Sequence, residues 1–221
     1  MLLQSIVGPQ SAQSLAPGSA ATARAGQLND IIVSELHGKF YEQNYRGNLF
    51  SVGMGVTALS ANTITLTAAT TPIIGVWNPS TSTVNLVIAK AKLQVAVTAA
   101  SAVAPGGFVW ATSIGNTAIS TGLTPINRKT LAAAGSQAKG FNITTALTGL
   151  TNNLVVMEAS AFGTLVAAQP STVAPLISAP AQEEFDGSLI VPPGGVLALL
   201  NTVSSVTVSV AAGLSWEEVP V

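Results

Sequence analysis

Three carboxylate side chains lie within four residues, at Glu183, Glu184 and Asp186. Carboxylate oxygens are ligands that Ca²⁺ prefers in proteins, so this acidic cluster is a candidate cation site. The cluster does not have the ligand spacing of an EF-hand loop, and a strand-like segment begins directly after it at Ser188. We expect a solvated loop at this position, and cation binding by the three carboxylates stays open.

Few residues could carry acid-base or nucleophilic catalysis. The chain has no cysteine and a single histidine, His37, which excludes thiolate nucleophiles and sites that need two imidazoles. Glu217 and Glu218 are neighbours in a strand-like segment and should point to opposite faces, so they form a poor carboxylate pair for catalysis. We therefore expect no catalytic, cofactor-binding or metal-binding residues and no enzyme activity.

Gly53, Gly55 and Ala58 loosely match the glycine fingerprint of dinucleotide-binding loops. In such loops a helix follows the glycines, and an acidic residue about 20 positions later holds the ribose. The sequence after Gly53 has neither a helical pattern nor such an acidic residue. We expect these residues to form a turn at the end of a strand.

Aromatic and basic side chains gather in the segment 40–50, with a basic dipeptide, Arg128-Lys129, further along the chain. In a protein that binds nucleic acid, such side chains stack on bases and neutralise phosphates. Glu35 and Glu42 cancel the positive charge of the first segment, so core packing or a seam between subunits is the better interpretation. The dipeptide is a candidate contact with a partner protein. The aromatic and basic residues of the segment are Phe40, Tyr41, Tyr45, Arg46 and Phe50.

Alternating apolar and polar residues, separated by turn signals, predict about ten short strands. In the segment 84–97, Lys90 and Lys92 share one face, while Ile88, Ala89 and Ala91 indicate a bulge or bend. Helical spacing is limited to 35–45 and 130–139, and the connection 113–152 should cross between sheets or cover an edge. The predicted strands are 31–33, 48–54, 63–67, 73–77, 84–97, 108–112, 153–160, 188–191, 196–202, 205–210 and 214–221.

The last strand-like segment contains the largest apolar side chain near the C-terminus. Alternation places Leu214, Trp216 and Glu218 on one face. We expect Trp216 in the core or at a threefold seam between subunits, with Glu218 at the rim of the buried surface.

The pattern of strands predicts an all-β protein, an antiparallel β-sandwich or jelly roll with an extended N-terminal arm. The segment 4–29 consists largely of Ser, Ala, Gln, Gly and Pro with one charge, Arg24, and can bury little apolar surface. The predicted domains are therefore an arm at 1–30 and a jelly-roll domain at 31–221.

Charged residues make up 8% of the chain, against about 25% in typical globular proteins. A formal net charge of −1 gives no field that would attract a phosphate backbone or an anionic membrane. We expect neither nucleic acid nor a membrane among its partners. Such a weakly charged surface is tolerable where sister subunits cover it, because charged residues are depleted at interface cores.

Four parts of the sequence together resemble jelly-roll structural proteins of tailed bacteriophage virions. They are the run 37–52 (HGKFYEQNYRGNLFSV), the central region 78–127, the run 187–202 (GSLIVPPGGVLALLNT) and the ending 215–220 (SWEEVP). The ending is the most specific of the four. The resemblance assigns no function to individual residues, because these proteins share a packing pattern and not a conserved active or binding site.

The resemblance implies a homotrimeric capsid cement (decoration) protein that binds the major capsid protein on the outer surface of the phage head. A head-fibre or tail protein that binds host-surface carbohydrate is the alternative. A secreted β-sandwich hydrolase or lectin is a third possibility. The location in the virion, the stoichiometry and the host stay open at this stage.

Overall fold

The computed structural model describes residues 5–6, 23–24, 39–58, 69–70, 72–97, 107–119, 122–143, 147–159, 178–201 and 208–221. The chain divides into two compact units, Met1–Tyr41 and Glu42–Val221. In the first unit, β1 (Ser5–Ile6) and β2 (Ala23–Arg24) form a short parallel pair. Most of the predicted arm at 1–30 lies outside the described residues, so the boundary at residue 30 stays a prediction.

The remaining elements are one short helix and thirteen strands within the described residues. None of the described helices is long and apolar enough to cross a membrane. In chain order they are α1 (Tyr41–Arg46), β3 (Leu49–Ala58), β4 (Ala69–Thr70), β5 (Ile74–Trp77), β6 (Val84–Val97), β7 (Phe108–Ser113), β8 (Ile126–Asn127), β9 (Lys139–Asn142), β10 (Leu147–Thr148), β11 (Val155–Ala159), β12 (Ser178–Glu184), β13 (Ile190–Val191), β14 (Val196–Asn201) and β15 (Val208–Pro220).

Two antiparallel sheets form the sandwich. One has the strand order β12-β6-β15-β3-β8, with β13 also paired to β6, and the other has the order β11-β7-β14-β5-β9. The first half of the chain pairs with the second half in reverse order: β3 with β15, β5 with β14, β6 with β12 and β7 with β11. This nested pairing is the topology of a jelly roll. The all-β prediction is therefore confirmed.

The long connection between β7 and β11 extends both sheets. Its strand β8 pairs with β3 at the edge of the six-stranded sheet, and its strand β9 pairs with β5 at the edge of the five-stranded sheet. Strand β10 pairs instead with β4. The expectation that this connection would cover an edge is confirmed for both sheets.

The bulge expected in the longest central strand is present. Ser215 of β15 pairs with Lys90, whereas the next residue, Trp216, pairs with Ile88, so Ala89 is the extra residue of β6. Both Ile88 and Ala89 are buried. The bulge resets the alternation so that Lys90 and Lys92 share the outer face, as predicted.

Three predictions from the sequence are wrong. The described part of the predicted strand 205–210 and the predicted strand 214–221 belong to one strand, β15 (Val208–Pro220), because Ala211 and Gly213 continue the ladder with β6. Gly53 and Gly55 lie inside β3 rather than in a turn. The segment 130–139 forms turns and bends followed by the start of β9 instead of a helix, whereas the described part of 35–45 does contain a helix, α1. The predicted strands 31–33 and 63–67 lie outside the described residues.

The principal core fills the space between the two sheets and contains Trp110 and Trp216, both fully buried. A second cluster covers the other face of the five-stranded sheet, where Ile119, Leu147 and Leu154 from the long connection and its end pack against the strands. All six residues of β14 are buried in consequence. The outer face of the six-stranded sheet carries glycine, serine and lysine instead, and we call it the open face because no apolar cluster of the described residues covers it.

The C-terminal strand joins the core to the long connection. Trp216 lies in the core, which decides between the two positions expected for it. Glu218 is buried instead of lying at the rim, because its carboxylate accepts hydrogen bonds from Ser136 Oγ and from the backbone N–H of Gln137. This carboxylate therefore fastens the irregular segment before β9 to the last strand.

Candidate interaction surfaces

The acidic cluster does not form a cation site in the described residues. Glu183 and Glu184 lie in β12 rather than in a loop, and only Asp186 occupies the following turn, with φ of 50°. Glu183 Oε2 accepts a hydrogen bond of 2.8 Å from Trp110 Nε1, whereas Glu184 accepts one from Gln182 Nε2. No group of three His, Asp or Glu side chains within the described ranges is placed to hold a metal ion.

The other chemical candidates are also dispersed. His37 lies outside the described residues. Glu217 and Glu218 point to opposite faces of β15, as predicted, since Glu218 is buried under the segment before β9 and Glu217 faces outward. Gly53 and Gly55 are part of the exposed outer face of β3 and do not adjoin a helix.

The aromatic and basic residues near α1 engage one another. Arg46 Nε donates a hydrogen bond of 2.7 Å to Glu42 Oε1. Lys129 Nζ lies 4.9 Å from the centre of the Tyr45 ring, a cation-π contact that links the basic dipeptide to α1. Phe50 belongs to the core. The sequence left core packing or a seam between subunits open for this segment. Phe50 packs in the core, whereas Tyr45 lies at the surface.

A groove crosses the open face of the six-stranded sheet. In the pairing of β3 with β15, Gly53 lies opposite Gly213 and Ser51 lies opposite Ser215. Four residues with no side chain or a short one thus occupy adjoining positions on the two central strands. The backbone of these two strands therefore forms much of the floor of the groove.

Long cationic side chains flank this floor. In the pairing of β15 with β6, Lys92 lies opposite Gly213 and Lys90 lies opposite Ser215. On the other side, Ile126 of β8 lies opposite Ser51, and Arg128 follows directly after β8. The resulting cavity, which we call the cationic groove, has a volume of about 360 Å³. It is lined by Ser51, Val52, Gly53, Lys90, Lys92, Ile126, Arg128, Gly213, Leu214 and Ser215.

Two carboxylates lie close to the cationic groove. Glu184 of β12 is the register partner of Lys90. Glu217 follows two residues after Ser215 on the same face, between Leu49 of β3 and Val87 of β6. Burial at this position raises the pKa of Glu217 above its ordinary value, because desolvation disfavours the ionised carboxylate. With three cationic side chains and two carboxylates, the groove has a positive net charge.

Apolar side chains are exposed at the β11 edge of the five-stranded sheet. Among the described strands, β11 lies at the edge of its sheet and pairs with β7, and its register shift leaves Met157 outside the ladder. Val155, Val156 and Met157 are 64%, 42% and 39% exposed, and Ile114 is 60% exposed. A hydrogen bond of 2.7 Å from Asn152 Nδ2 to the carbonyl of Ile114 ties the ends of β7 and β11 together. These four apolar residues are called the β11 edge below.

Sequence reasoning found only part of these two surfaces. The shared face of Lys90 and Lys92 follows from alternation within one strand. The opposition of Gly53 and Gly213 depends on the register of β3 with β15, and no local signal encodes that register. The sequence does mark the β11 edge, as the run Val155-Val156-Met157, but it does not show whether this strand is central or at an edge.

No family model matches the chain, and no curated protein matches it. Among solved structures, the chain is similar to one described as "Israeli acute paralysis virus heated to 63 degree - full particle", with 12% sequence identity and a TM-score of 0.24. The alignment covers 96% of this chain and 82% of that chain. A TM-score this low establishes neither fold nor function, so the jelly-roll assignment rests on the strand pairing. The similarity is to a virus particle, and it gives no support to the tailed-bacteriophage part of the resemblance.

Proposed function

We propose that the chain is a virion structural protein without enzyme activity. In its more specific form, the proposal is a homotrimeric cement protein that binds the major capsid protein on the outer surface of a phage head. The observation that carries the proposal is the β11 edge, an apolar strand edge on a jelly-roll sandwich. Jelly rolls also occur in lectins and cupins, so the fold alone does not assign the function.

The β11 edge has the properties of an assembly surface. An edge strand presents backbone N–H and C=O groups that can pair with another chain, and proteins that stay monomeric usually protect such an edge with charges. Here Glu158 is the charge within β11, and the three residues before it are exposed and apolar. Exposed apolar patches of this kind mark surfaces that bind other proteins.

The composition supports the same proposal. Eight basic and nine acidic residues in 221 give a weakly charged surface, which suits a subunit that is partly covered in its assembled state. The five-stranded sheet already has its outer face covered by the long connection. Its free edge at β11 is therefore the apolar surface that an additional subunit would cover.

The test is the mass of the full chain in solution, measured by light scattering coupled to size exclusion at micromolar concentration. We expect three times the chain mass of 22.2 kDa for the wild type. The double substitution Val155→Lys and Met157→Lys should give the monomer mass, because lysines on an edge strand prevent edge pairing. Ile190→Lys is the matched control, since Ile190 is 52% exposed on β13 of the other sheet and should keep the wild-type mass.

Two results would overturn the assembly proposal. The first is a wild-type protein that stays monomeric at these concentrations. The second is a Val155→Lys/Met157→Lys protein that keeps both the wild-type mass and the wild-type melting temperature, which would place any subunit contact elsewhere on the molecule.

A further inference from the structure

The floor of the cationic groove is made of glycines that the local backbone does not require. Neither Gly53 nor Gly213 has a positive φ. A Cβ atom at Gly213 would come no nearer than 3.9 Å to another atom, and one at Gly53 no nearer than 3.6 Å. Side chains would therefore fit at both positions. Glycine in a strand interior weakens the strand and often marks a place where a ligand or another backbone approaches closely.

The groove continues along the open face of the sheet. A second hollow of about 480 Å³ shares Lys92 and Gly213 with the cationic groove. Its lining adds Gln94 and Gln182, together with Met54, which packs against the core. The two hollows form one trough with three cationic groups at one end and two amide groups at the other.

We infer that this trough binds an extended acidic peptide segment of another protein. Lys90, Lys92 and Arg128 are placed to hold carboxylates, and hydrogen bonds between ionised partners are stronger than those between neutral ones. Hydroxyl and amide side chains both donate and accept hydrogen bonds, as the N–H and C=O groups of a peptide require. Ser51, Gln94 and Gln182 line the trough with such groups. Ser215 is buried in its floor and donates its own hydrogen bond to the carbonyl of Lys90.

The dimensions fit a short stretch of extended chain. The cationic groove spans from β6 across β15 and β3 to β8, which is three strand spacings or about 14 Å. An extended peptide covers this distance with about four residues. The glycine floor lets its backbone lie close to the sheet. The segment 1–29 contains no acidic residue and so does not match the charge of the groove.

The lining also distinguishes a peptide from other anionic ligands. Among the described residues, no aromatic side chain lines either hollow, so this lining offers no ring on which a base or a sugar could stack. The two carboxylates near the groove, Glu184 and Glu217, disfavour a densely charged polyanion such as nucleic acid. The inference does not depend on a role in a virion and goes beyond the proposed function.

The experiment measures fluorescence anisotropy of a fluorescein-labelled octapeptide of alternating Asp and Ser, with the Asn-Ser octapeptide as the neutral probe. For the full-length wild type we expect binding of the acidic peptide at least tenfold tighter than that of the neutral one. Lys92→Gln should lower the affinity for the acidic peptide by about fivefold. Lys139→Gln changes the net charge equally but lies on β9 of the other sheet, and it should leave the affinity unchanged.

A second pair of variants tests the floor of the groove. Gly213→Val fills it without removing any charge, and we expect at least a tenfold loss of affinity with the strand content of circular dichroism unchanged. If Gly213→Val does not fold, the double variant Gly53→Ala/Gly213→Ala replaces it, since both Cβ positions are open. Either variant should keep the oligomeric mass of the wild type, so failure of this inference is distinct from failure of the assembly proposal.

Several results would overturn the inference. They are equal affinity for the two octapeptides, equal weakening by Lys92→Gln and Lys139→Gln, full affinity in a folded floor variant, and no binding of the acidic peptide at 1 mM, about the weakest affinity of interest. A glucuronate oligosaccharide that binds in place of the peptide, and loses affinity in the floor variant, would assign the trough to an acidic saccharide instead.

Discussion

The indole nitrogen of Trp110 donates a hydrogen bond of 2.8 Å to Oε2 of Glu183, and this bond connects the two sheets of the sandwich. Trp110 belongs to β7 of the five-stranded sheet and Glu183 to β12 of the six-stranded sheet. The ring of Phe185 packs edge-on against Trp110, with ring centres 5.4 Å apart. Two residues of the segment 183–186 therefore contribute to the structure, and the carboxylate of Glu183 is turned towards the core.

Trp110→Phe tests this connection. The substitution keeps an aromatic ring beside Phe185 but removes the donor to Glu183, so we expect the free energy of unfolding to fall by about 1–3 kcal/mol. Urea denaturation followed by fluorescence of the remaining tryptophans measures this loss. Glu184→Gln is the control on an exposed neighbour and should stay within about 0.5 kcal/mol of the wild type. Equal stability of the two variants would show that the bond contributes nothing.

Trp216→Ala tests the position of the C-terminal strand. Trp216 is fully buried between the sheets, so its truncation should lower the free energy of unfolding by about 3–5 kcal/mol. Under conditions where the variant is folded, its mass by light scattering should equal that of the wild type. Dissociation of the assembly without loss of stability would place Trp216 at a subunit contact and contradict its position in the core.

Asn78→Ala tests a buried polar corner between β5 and β6. The side-chain amide of Asn78 donates hydrogen bonds of 2.8 Å to the carbonyl of Val84 and 3.0 Å to the carbonyl of Val191. Because Asn78 is fully buried, the carbonyl of Val191 loses this donor and that of Val84 keeps a longer bond of 3.3 Å from Ser82 Oγ, and we expect a loss of about 1–3 kcal/mol. Thermal and urea denaturation should both report it. Unchanged stability would mean that the corner forms without this side chain.

Glu217→Gln tests the raised pKa of Glu217. Between the ordinary pKa and the raised one, the folded protein binds more protons at this carboxyl than the unfolded chain does. The stabilisation is therefore present at low pH and lost as pH rises through the raised pKa. The gain in melting temperature from Glu217→Gln should be larger at pH 7 than below about pH 4. An identical difference at both pH values would contradict the shift.

The sandwich follows from local features of the sequence, whereas the surfaces depend on distant pairings. Alternation predicts β6 with its bounds at Val84 and Val97, and the mixed parity around Ala89 predicts the bulge. Alternation cannot show that Ala211 and Gly213 continue a strand, because small residues there also suit a turn. The ladder with β6 decides this.

Dependence on distant strand pairings also explains why the cationic groove cannot be predicted from the sequence. Lys90 and Lys92 share a face by their spacing alone, but the floor between them and Arg128 comes from two other strands, β3 and β15. Burial of Glu218 was missed because its partners, Ser136 and Gln137, lie in an irregular segment that has no periodic signal. Each of these features requires the register between elements that are far apart in the chain.

Cryo-electron microscopy of purified particles from the source of this protein tests the central claim, that the chain is a virion structural protein. We expect density for the jelly roll in many copies on the outer surface of the head, with the β11 edge covered by a neighbouring copy. A few copies at one vertex or on the tail would favour the head-fibre or tail alternative over the cement role. Absence of the chain from the particles, checked by mass spectrometry of the same preparation, would contradict the claim itself.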